Sequence, residues 1–199
     1  MEWDDDPAKI GLIIGKMNCV FGAVVCLSFA ALSFGADSSA PPSVSSIFDR
    51  DVKTAEREIV SLAEAMPADK YNFAPANGAF EGVRTFAQQM KHVAAVNYIV
   101  AAALLEEKNP SESNGERGPD SIQSKDDIVK FLKDSFSYAH KAMATLTDKN
   151  LTEMIKSPFG NGKTPRVSSA TIPAWHTYDH YGQAVVYARM NGIIPPASR

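Results

Sequence analysis

The sequence predicts an all-α protein, a four-helix bundle with long connections between its helices. Four helical segments are separated by turn-rich loops, and no segment of similar length alternates between apolar and polar residues as a half-buried strand would. Two connections are long, polar and rich in glycine and proline. With 199 residues and 45% hydrophobic content, the chain is sufficient for one domain with a sizeable core.

The first two helices have clear boundary signals. An apolar stripe predicts the first helix at Ser46–Met66, and Pro67 ends it because proline cannot continue the hydrogen-bond ladder. The second helix is alanine-rich, begins after Thr85 and runs to about Glu107. Gln88 lies three residues after Thr85, so the two residues predict a capping box.

The third helix is predicted at residues 125–146, after a polar loop with two prolines and two glycines. Ser124, followed three residues later by Asp127, is its predicted N-cap. A second irregular stretch, residues 148–169, then leads to the last helix. Its segment GNGKT is similar to the end of a phosphate-binding loop, but the first glycine of that motif is missing and a proline follows at once. We therefore interpret GNGKT as a turn.

The start of the fourth helix depends on Pro173. Proline is tolerated in the first turn of a helix, so Thr171 as N-cap would place Pro173 at the second helical position. A kinked helix that starts at Ser169 is the alternative. Gly192 can adopt the left-handed conformation after the last turn, and the two prolines that follow prevent the helix from resuming.

The first 36 residues differ in composition from the remainder. Residues 17–36 carry no charge, and Lys9 and Lys16 lie just upstream. A basic flank followed by an apolar run that ends in small residues is typical of an export signal. The uncharged run is also about the 20 residues that an uncleaved membrane anchor needs. A buried N-terminal helix of the domain is a third interpretation, which the sharp change to DSSAPPSVSS disfavours.

These features predict the domain organisation and the location. We expect an export signal or N-terminal membrane anchor at residues 1–36, a linker at residues 37–45 and the bundle at residues 46–199. In either case the bundle would be exported, to the periplasm or the extracellular space, because the positive flank stays inside. Both cysteines, Cys19 and Cys26, precede the bundle, so a metal in the bundle must be bound by imidazole and carboxylate.

The charge excludes some classes of partner. A formal net charge of −3 and the absence of any basic run argue against a nucleic-acid partner. Membrane contact is expected only through an uncleaved N-terminal segment. A small-molecule substrate of unknown identity is the expected partner, and the sequence leaves a homodimer open.

Histidines provide the strongest functional signal. The chain has four, and His176 and His180 are four positions apart on one helical face. Two imidazoles at this spacing can converge on one ion, although such pairs also occur on solvated helices. His92, in the middle of the second helix, offers a third imidazole from a helix that can be a neighbour in the bundle. His140 is interpreted as a surface or boundary residue.

The segments around these histidines resemble a known family. HTYDHYGQAVVYARMNGIIPPAS, residues 176–198, is similar to the last helix and tail of the DinB-like (YfiT-like) family of metal-dependent four-helix-bundle proteins. MPADKYNFAP and RTFAQQMKHVAAVNY, residues 66–75 and 84–98, resemble the end of the family's first helix and the start of its second. The sequence departs from the family at three positions. Thr177 and Tyr178 stand where the family commonly has a polar pair such as Asp-Asn, and Asp179 stands where it commonly has glutamate.

The resemblance implies a function. His92, His176 and His180 would bind one divalent metal and leave positions open for water or substrate. Zinc, nickel and iron all suit imidazole, so the metal is not identified. Better understood relatives include thiol-dependent transferases and hydrolases, which makes a metal-dependent transferase or hydrolase the leading hypothesis. The competing hypothesis is a non-enzymatic protein of the cell envelope in which the metal has a structural or binding role.

Asp179 is the candidate catalytic residue. Metal-bound histidines are usually oriented by a hydrogen bond to a second group, and Asp179 could orient an imidazole or accept a proton. A solvated carboxylate beside the motif is the alternative. The inverted zinc-peptidase motif also places an acidic residue before its second histidine, but it needs a third ligand further along. No Asp, Glu, His or Cys follows His180.

Overall fold

The computed structural model of the protein describes residues 41–111 and 115–199. The predicted signal or anchor, residues 1–36, lies outside the described residues, as do residues 37–40 of the predicted linker. Among the described helices, none combines the length and apolar content needed to cross a membrane.

The described residues form a helical bundle with one small hairpin. In chain order the helices are α1 (Val44–Ala65), α2 (Phe86–Leu105), α3 (Lys125–Met143), α4 (Arg166–Ala170) and α5 (Ile172–Met190), and the strands are β1 (Met154–Lys156) and β2 (Lys163–Pro165). Three short 3₁₀ turns occupy Ala68–Lys70, Gly115–Arg117 and Pro196–Ser198. Helix α2 packs against α3 and α5, and α1 packs against the same two helices. The four long helices confirm the predicted all-α four-helix bundle.

The core lies between the four long helices. Ile59 of α1, Phe86 of α2 and Phe136 of α3 are among its largest fully buried side chains. Helix α5 contributes the small residues Ala184 and Ala188, both completely buried, which lets its backbone approach the other helices closely. The remaining inward positions of α5 include polar residues, and these build the site described below.

Two of the predicted helix caps are confirmed. The Thr85 side chain accepts a hydrogen bond from the backbone N–H of Gln88, and the Gln88 side chain accepts one from the backbone N–H of Thr85. Ser124 Oγ accepts from the backbone N–H of Asp127 at 3.1 Å. Gly192 has the predicted left-handed conformation, with φ 75°.

Some helix boundaries differ from the prediction. Helix α1 begins at Val44, inside the predicted linker, because Ser43 acts as its N-cap. Helix α2 ends at Leu105 because Glu106 adopts a left-handed conformation, with φ 55°. Helix α3 ends at Met143, three residues before the predicted end.

The connection before the last helix contains structure that the sequence did not indicate. Strands β1 and β2 pair antiparallel, with Ile155 opposite Thr164. Three residues are too few for a detectable alternation of apolar and polar side chains. The interpretation of GNGKT as a turn is confirmed for residues 160–162, which lie between the two strands with Gly160 at φ 78°, whereas Lys163 and Thr164 belong to β2.

The start of the last helix combines both predicted alternatives. Pro173 is the second residue of α5, as predicted, and the short helix α4 precedes it. The predicted capping role of Thr171 is wrong, because its backbone is helical and its hydroxyl donates to the Ser168 carbonyl oxygen at 2.9 Å. Thr171 therefore joins two helical segments and leaves the first turn of α5 without a side-chain cap.

His140 links α3 to α1. Its Nδ1 lies 2.6 Å from Asp49 Oδ1 and its Nε2 lies 3.0 Å from Glu56 Oε2. The imidazole is half-buried, in agreement with the predicted boundary position. The hydrogen bond to Glu56 raises the pKa of His140, burial opposes this increase, and the contact with Asp49 adds to it. The protonated ring therefore forms an ion pair with each carboxylate.

We expect the contribution of His140 to stability to decrease as the pH rises. A raised pKa in the folded state gives stability that is fully present below the unfolded pKa of 6.5 and is lost as the pH rises through the folded pKa. Urea unfolding of the parent and His140→Gln should differ by about 1 kcal/mol near pH 5.5 and by less near pH 8.5. An equal difference at both pH values would show that the ion pairs contribute nothing.

Candidate metal centre

Helices α2 and α5 bring three histidines together. His92 lies on α2, and His176 and His180 lie one turn apart on α5. One nitrogen of each ring lies within 4.8 Å of the corresponding nitrogens of the other two. The ring centroids are 4.6–4.9 Å apart, and each pair of rings meets edge to face. The three residues predicted as metal ligands therefore form a single cluster.

Two of the imidazoles are held through Nδ1. His92 Nδ1 donates to the backbone carbonyl oxygen of Glu116 at 2.7 Å, and His180 Nδ1 donates to Gln89 Oε1. A carbonyl oxygen can only accept, so the proton of each neutral ring must be on Nδ1. Nε2 of His92 and Nε2 of His180 then keep their lone pairs, which is the state that a metal ligand requires.

His176 completes the cluster, and one nitrogen of its ring has no hydrogen-bond partner among the described residues. Its Nε2 lies 3.2 Å from Nε2 of His92, and its buried Nδ1 has no hydrogen-bond partner among the described residues. Tetrahedral ligands at 2.0–2.1 Å from one ion lie about 3.3 Å from each other, close to the observed separation. The separation of this pair and the three-imidazole donor set therefore fit a divalent cation.

Burial keeps the three histidines neutral. Desolvation is the largest cause of the lowered pKa of each ring, and it brings the pKa of His176 to about 3 and that of His180 to about 4. Neighbouring rings add to this effect: His180 and His92 lower the pKa of His176, and His92 lowers the pKa of His180. Near neutral pH all three imidazoles are therefore uncharged, the state in which a ring nitrogen can bind a cation.

A chain of side-chain amides leads from His180 to the protein surface. Gln89 Nε2 donates to Gln183 Oε1 at 2.9 Å, and Gln183 Nε2 donates to Asp179 Oδ2 at 3.2 Å. Each amide thus accepts a hydrogen bond from the neighbour nearer to His180 and donates one to the neighbour nearer to Asp179. The contacts orient His180 and fix its protonated nitrogen.

Asp179 lies at the outer end of this chain. Its exposed carboxylate contacts Gln183, and the two amides separate it from the His180 ring. The contacts assign it a positioning role, whereas its action as a catalytic base stays a prediction. The two tyrosines nearby have structural contacts: Tyr187 is buried and donates to the Arg84 carbonyl oxygen at 3.2 Å, and Tyr181 packs against the core.

Sequence reasoning missed Gln89 and Glu116. Gln89 lies three residues before His92, on the same face of α2, and its side chain is buried in a helix that is otherwise mostly apolar. A polar residue at that spacing from a candidate ligand is a signal that could have identified it. Glu116 contributes only its backbone oxygen, which no side-chain pattern reveals.

Replacing Gln89 tests the support of His180. Gln89→Leu removes the acceptor for Nδ1 and should weaken metal affinity by about 10–100-fold, the usual cost of losing such a contact. Gln89→Glu keeps an acceptor at the same position and should retain most of the affinity. Competition titration with a metal-sensitive dye measures both variants. Equal affinities for Gln89→Leu and the parent would show that the contact does not position the ligand.

A pocket of about 600 Å³ lies against Gln89, the residue that supports His180, and none of the three histidines lines it. Gln89 and Gln183, the two amides of the hydrogen-bond chain, line its wall together with Arg84, Lys91 and Arg117. Gln89, which accepts the hydrogen bond from His180, and Gln183, which accepts one from Gln89, therefore both face the pocket. A ligand in this pocket would lie directly against the amide chain.

The fold and the histidine cluster agree with a comparison against known families. A model described as the DinB superfamily matches residues 52–184. The chain belongs to the DinB superfamily. The matched region extends from α1 to the middle of α5 and includes all three histidines. The predicted family resemblance is confirmed.

Solved structures of DinB-like proteins share the fold. A DinB-like protein from Bacillus cereus is 17% identical, with a TM-score of 0.61, and the match covers 75% of this chain and 93% of that one. A DinB-like protein from Bacillus subtilis is 17% identical, with a TM-score of 0.55, and the match covers 73% of this chain and 92% of that one. A conserved protein from Enterococcus faecalis is 14% identical, with a TM-score of 0.60 and coverage of 75% and 98%. A comparison with curated proteins gives no significant match.

Proposed function

We propose that this DinB-superfamily protein is a metal-dependent enzyme, a transferase that joins a low-molecular-weight thiol to an electrophile or a hydrolase. His92, His176 and His180 would bind a divalent ion such as zinc, nickel or iron. The convergence of three neutral imidazoles, two of them fixed through Nδ1, is the observation that carries the proposal.

The ligand set determines the chemistry that the ion would supply. A divalent ion bound by three neutral imidazoles keeps its full charge and lowers the pKa of a coordinated water or thiol toward neutrality. The residues of the chain would prepare this site. Gln89 holds His180 in one tautomer, the Glu116 carbonyl oxygen does the same for His92, and the Gln183–Asp179 contact keeps the Gln89 amide in its orientation.

The number of ligands favours an enzyme over a structural metal site. Structural zinc sites usually have four protein ligands, whereas catalytic sites have three and leave a position for water or substrate. Among the described residues the cluster has three members, and a pocket contacts Gln89, the residue that supports His180. A non-enzymatic, metal-binding role in the cell envelope is the competing function, and a fourth protein ligand would support it.

The location affects the choice between the two reactions. We also propose that residues 1–36 direct the bundle out of the cytoplasm, either as a cleaved signal or as a membrane anchor. Low-molecular-weight thiol pools are mainly cytoplasmic. Export would therefore favour hydrolysis over thiol transfer.

Two assays on the metal-loaded protein test the proposal. Cysteine with 1-chloro-2,4-dinitrobenzene reports thiol transfer, and p-nitrophenyl acetate reports hydrolysis. The parent should accelerate one reaction, and the His176→Ala/His180→Ala variant should lose the acceleration together with the metal. Equal rates for parent and variant would contradict metal-dependent catalysis in these reactions. A parent that holds metal but accelerates neither would favour the non-enzymatic role.

A further inference from the structure

The pocket beside the histidine cluster is lined by an excess of positive charge. Arg84, Lys91 and Arg117 contribute three cationic side chains, and Asp120 contributes the one carboxylate among its lining residues. The cations come from three places in the chain: the residue before the Thr85 cap, helix α2 and the 3₁₀ turn at Gly115–Arg117. The fold therefore gathers them around one concavity.

The three cations are not neutralised by ion pairs within the described part of the chain. None of them forms a salt bridge with a described carboxylate, whereas Lys130, Lys133, Lys141 and Arg166 all do. Cations that line a concave surface with low-dielectric walls concentrate the positive potential there. An anion that enters the pocket would meet that potential without displacing a described partner.

The side chains that line the pocket, and not the end of α2, are the groups available to an anion. The first backbone N–H groups of α2 are already bonded: those of Phe86 and Ala87 donate to the carbonyl oxygens of Phe73 and Tyr71. That of Gln88 donates to the Thr85 hydroxyl. Recognition of an anion here therefore depends on the two guanidinium groups and the ammonium group, which suit carboxylate and phosphate oxygens.

Two observations connect this pocket to the metal centre. Gln89 and Gln183 line the pocket, and Gln89 also accepts the hydrogen bond from His180. The backbone oxygen of Glu116 accepts the hydrogen bond from His92, and the next residue, Arg117, lines the pocket. A molecule with its anionic group in the pocket would lie against Gln89, the direct support of His180.

We infer that the substrate is a small organic anion whose carboxylate or phosphate group is bound by Arg84, Lys91 and Arg117. The inference rests on the proposed function, because it assigns a substrate class to the same site. The cationic pocket holds and orients the anionic part, and the other part of the molecule extends to the histidine cluster. Neutral molecules of the same shape would bind poorly.

Calorimetric titration of the full chain with defined probes tests the inference. The probes are malonate, inorganic phosphate and the neutral malonamide, each added to metal-free and to zinc-loaded protein. The variants are Arg84→Gln and Arg117→Gln, and Arg57→Gln on the exposed side of α1 is the matched control. Metal content is measured in the same samples, so loss of the metal site is detected separately.

We expect at least one anion to bind both metal forms, and malonamide to bind neither. Each pocket variant should weaken this binding by about tenfold or more, the usual cost of a lost hydrogen bond to a charged group. Arg57→Gln should match the parent, and added salt should weaken binding. A preference for malonate identifies a carboxylate substrate, and a preference for phosphate identifies a phosphate ester.

Two results would overturn the inference and leave the proposed function intact. One is zinc-loaded protein that binds neither anion. The other is anion binding that requires zinc and is unchanged in Arg84→Gln and Arg117→Gln, because the anion would then contact the metal and not the pocket. Absence of zinc from the parent would instead contradict the proposed function, and anion binding by the metal-free protein would still be measurable.

Discussion

Zinc at about 1,000 times its dissociation constant is expected to raise the free energy of unfolding by about 4 kcal/mol. The folded domain presents three converging neutral imidazoles, which the unfolded chain does not hold together. A ligand that binds only the folded state stabilises it by mass action. For a domain of this size the gain corresponds to roughly 8–16 °C in the melting temperature, which scanning calorimetry measures.

Stabilisation by zinc should depend on the histidines of α5, and the stability of the metal-free protein should depend on pH. The His176→Ala/His180→Ala variant should show no stabilisation by zinc. In the metal-free parent the lowered histidine pKa values, about 3 for His176 and about 4 for His180, mean that the unfolded chain binds more protons below 6.5. Stability should therefore fall as the pH decreases from 6.5 toward 4, whereas zinc should still stabilise the protein at about pH 5.5 because the folded histidines remain neutral. Equal stabilisation of parent and variant would place the zinc elsewhere.

Phe136→Ala is expected to lower the free energy of unfolding by about 3–5 kcal/mol. Phe136 is completely buried on α3, the helix that packs against both α1 and α2. Truncation removes a large apolar side chain from water-free surroundings and leaves a cavity that the four helices cannot fully close. Urea unfolding followed by circular dichroism measures the loss.

The neighbouring Ser137 provides the control for this change. Its side chain is exposed, and its hydroxyl donates to the Lys133 carbonyl oxygen within the same helix. Ser137→Ala should change the free energy of unfolding by less than about 0.5 kcal/mol. A loss below about 1 kcal/mol for Phe136→Ala would show that the core around α3 is loosely packed.

The bundle and the histidine cluster could be predicted because their signals are periodic. An apolar stripe predicted the first helix, an alanine-rich run the second, and cap and stop residues the other two. Thr85 with Gln88 identified one helix start to the residue. The spacing of His176 and His180 predicted a shared face, and the pairing with His92 required only that α2 and α5 be neighbours. The family resemblance then implied one metal site from the three residues.

The remaining features depend on contacts that are distant in sequence. The Gln89–Gln183 hydrogen bond joins residues 94 positions apart, and the carbonyl oxygen that holds His92 comes from the loop after α2. The three cations of the pocket converge only once α2 and the 3₁₀ turn at Gly115–Arg117 are packed together. The β1–β2 hairpin was missed because its strands are too short for a periodic signal.

Metal content of the purified full-length protein, without a histidine tag, tests the central claim most directly. Mass spectrometric elemental analysis would compare the parent with His176→Ala/His180→Ala, each before and after incubation with zinc, nickel or iron and gel filtration. We predict about one equivalent of one divalent metal per chain in the parent and none in the variant, since three converging imidazoles form a metal site. If the parent retains no metal under any of these conditions, the claim is contradicted, and the three histidines are a buried polar cluster of the bundle.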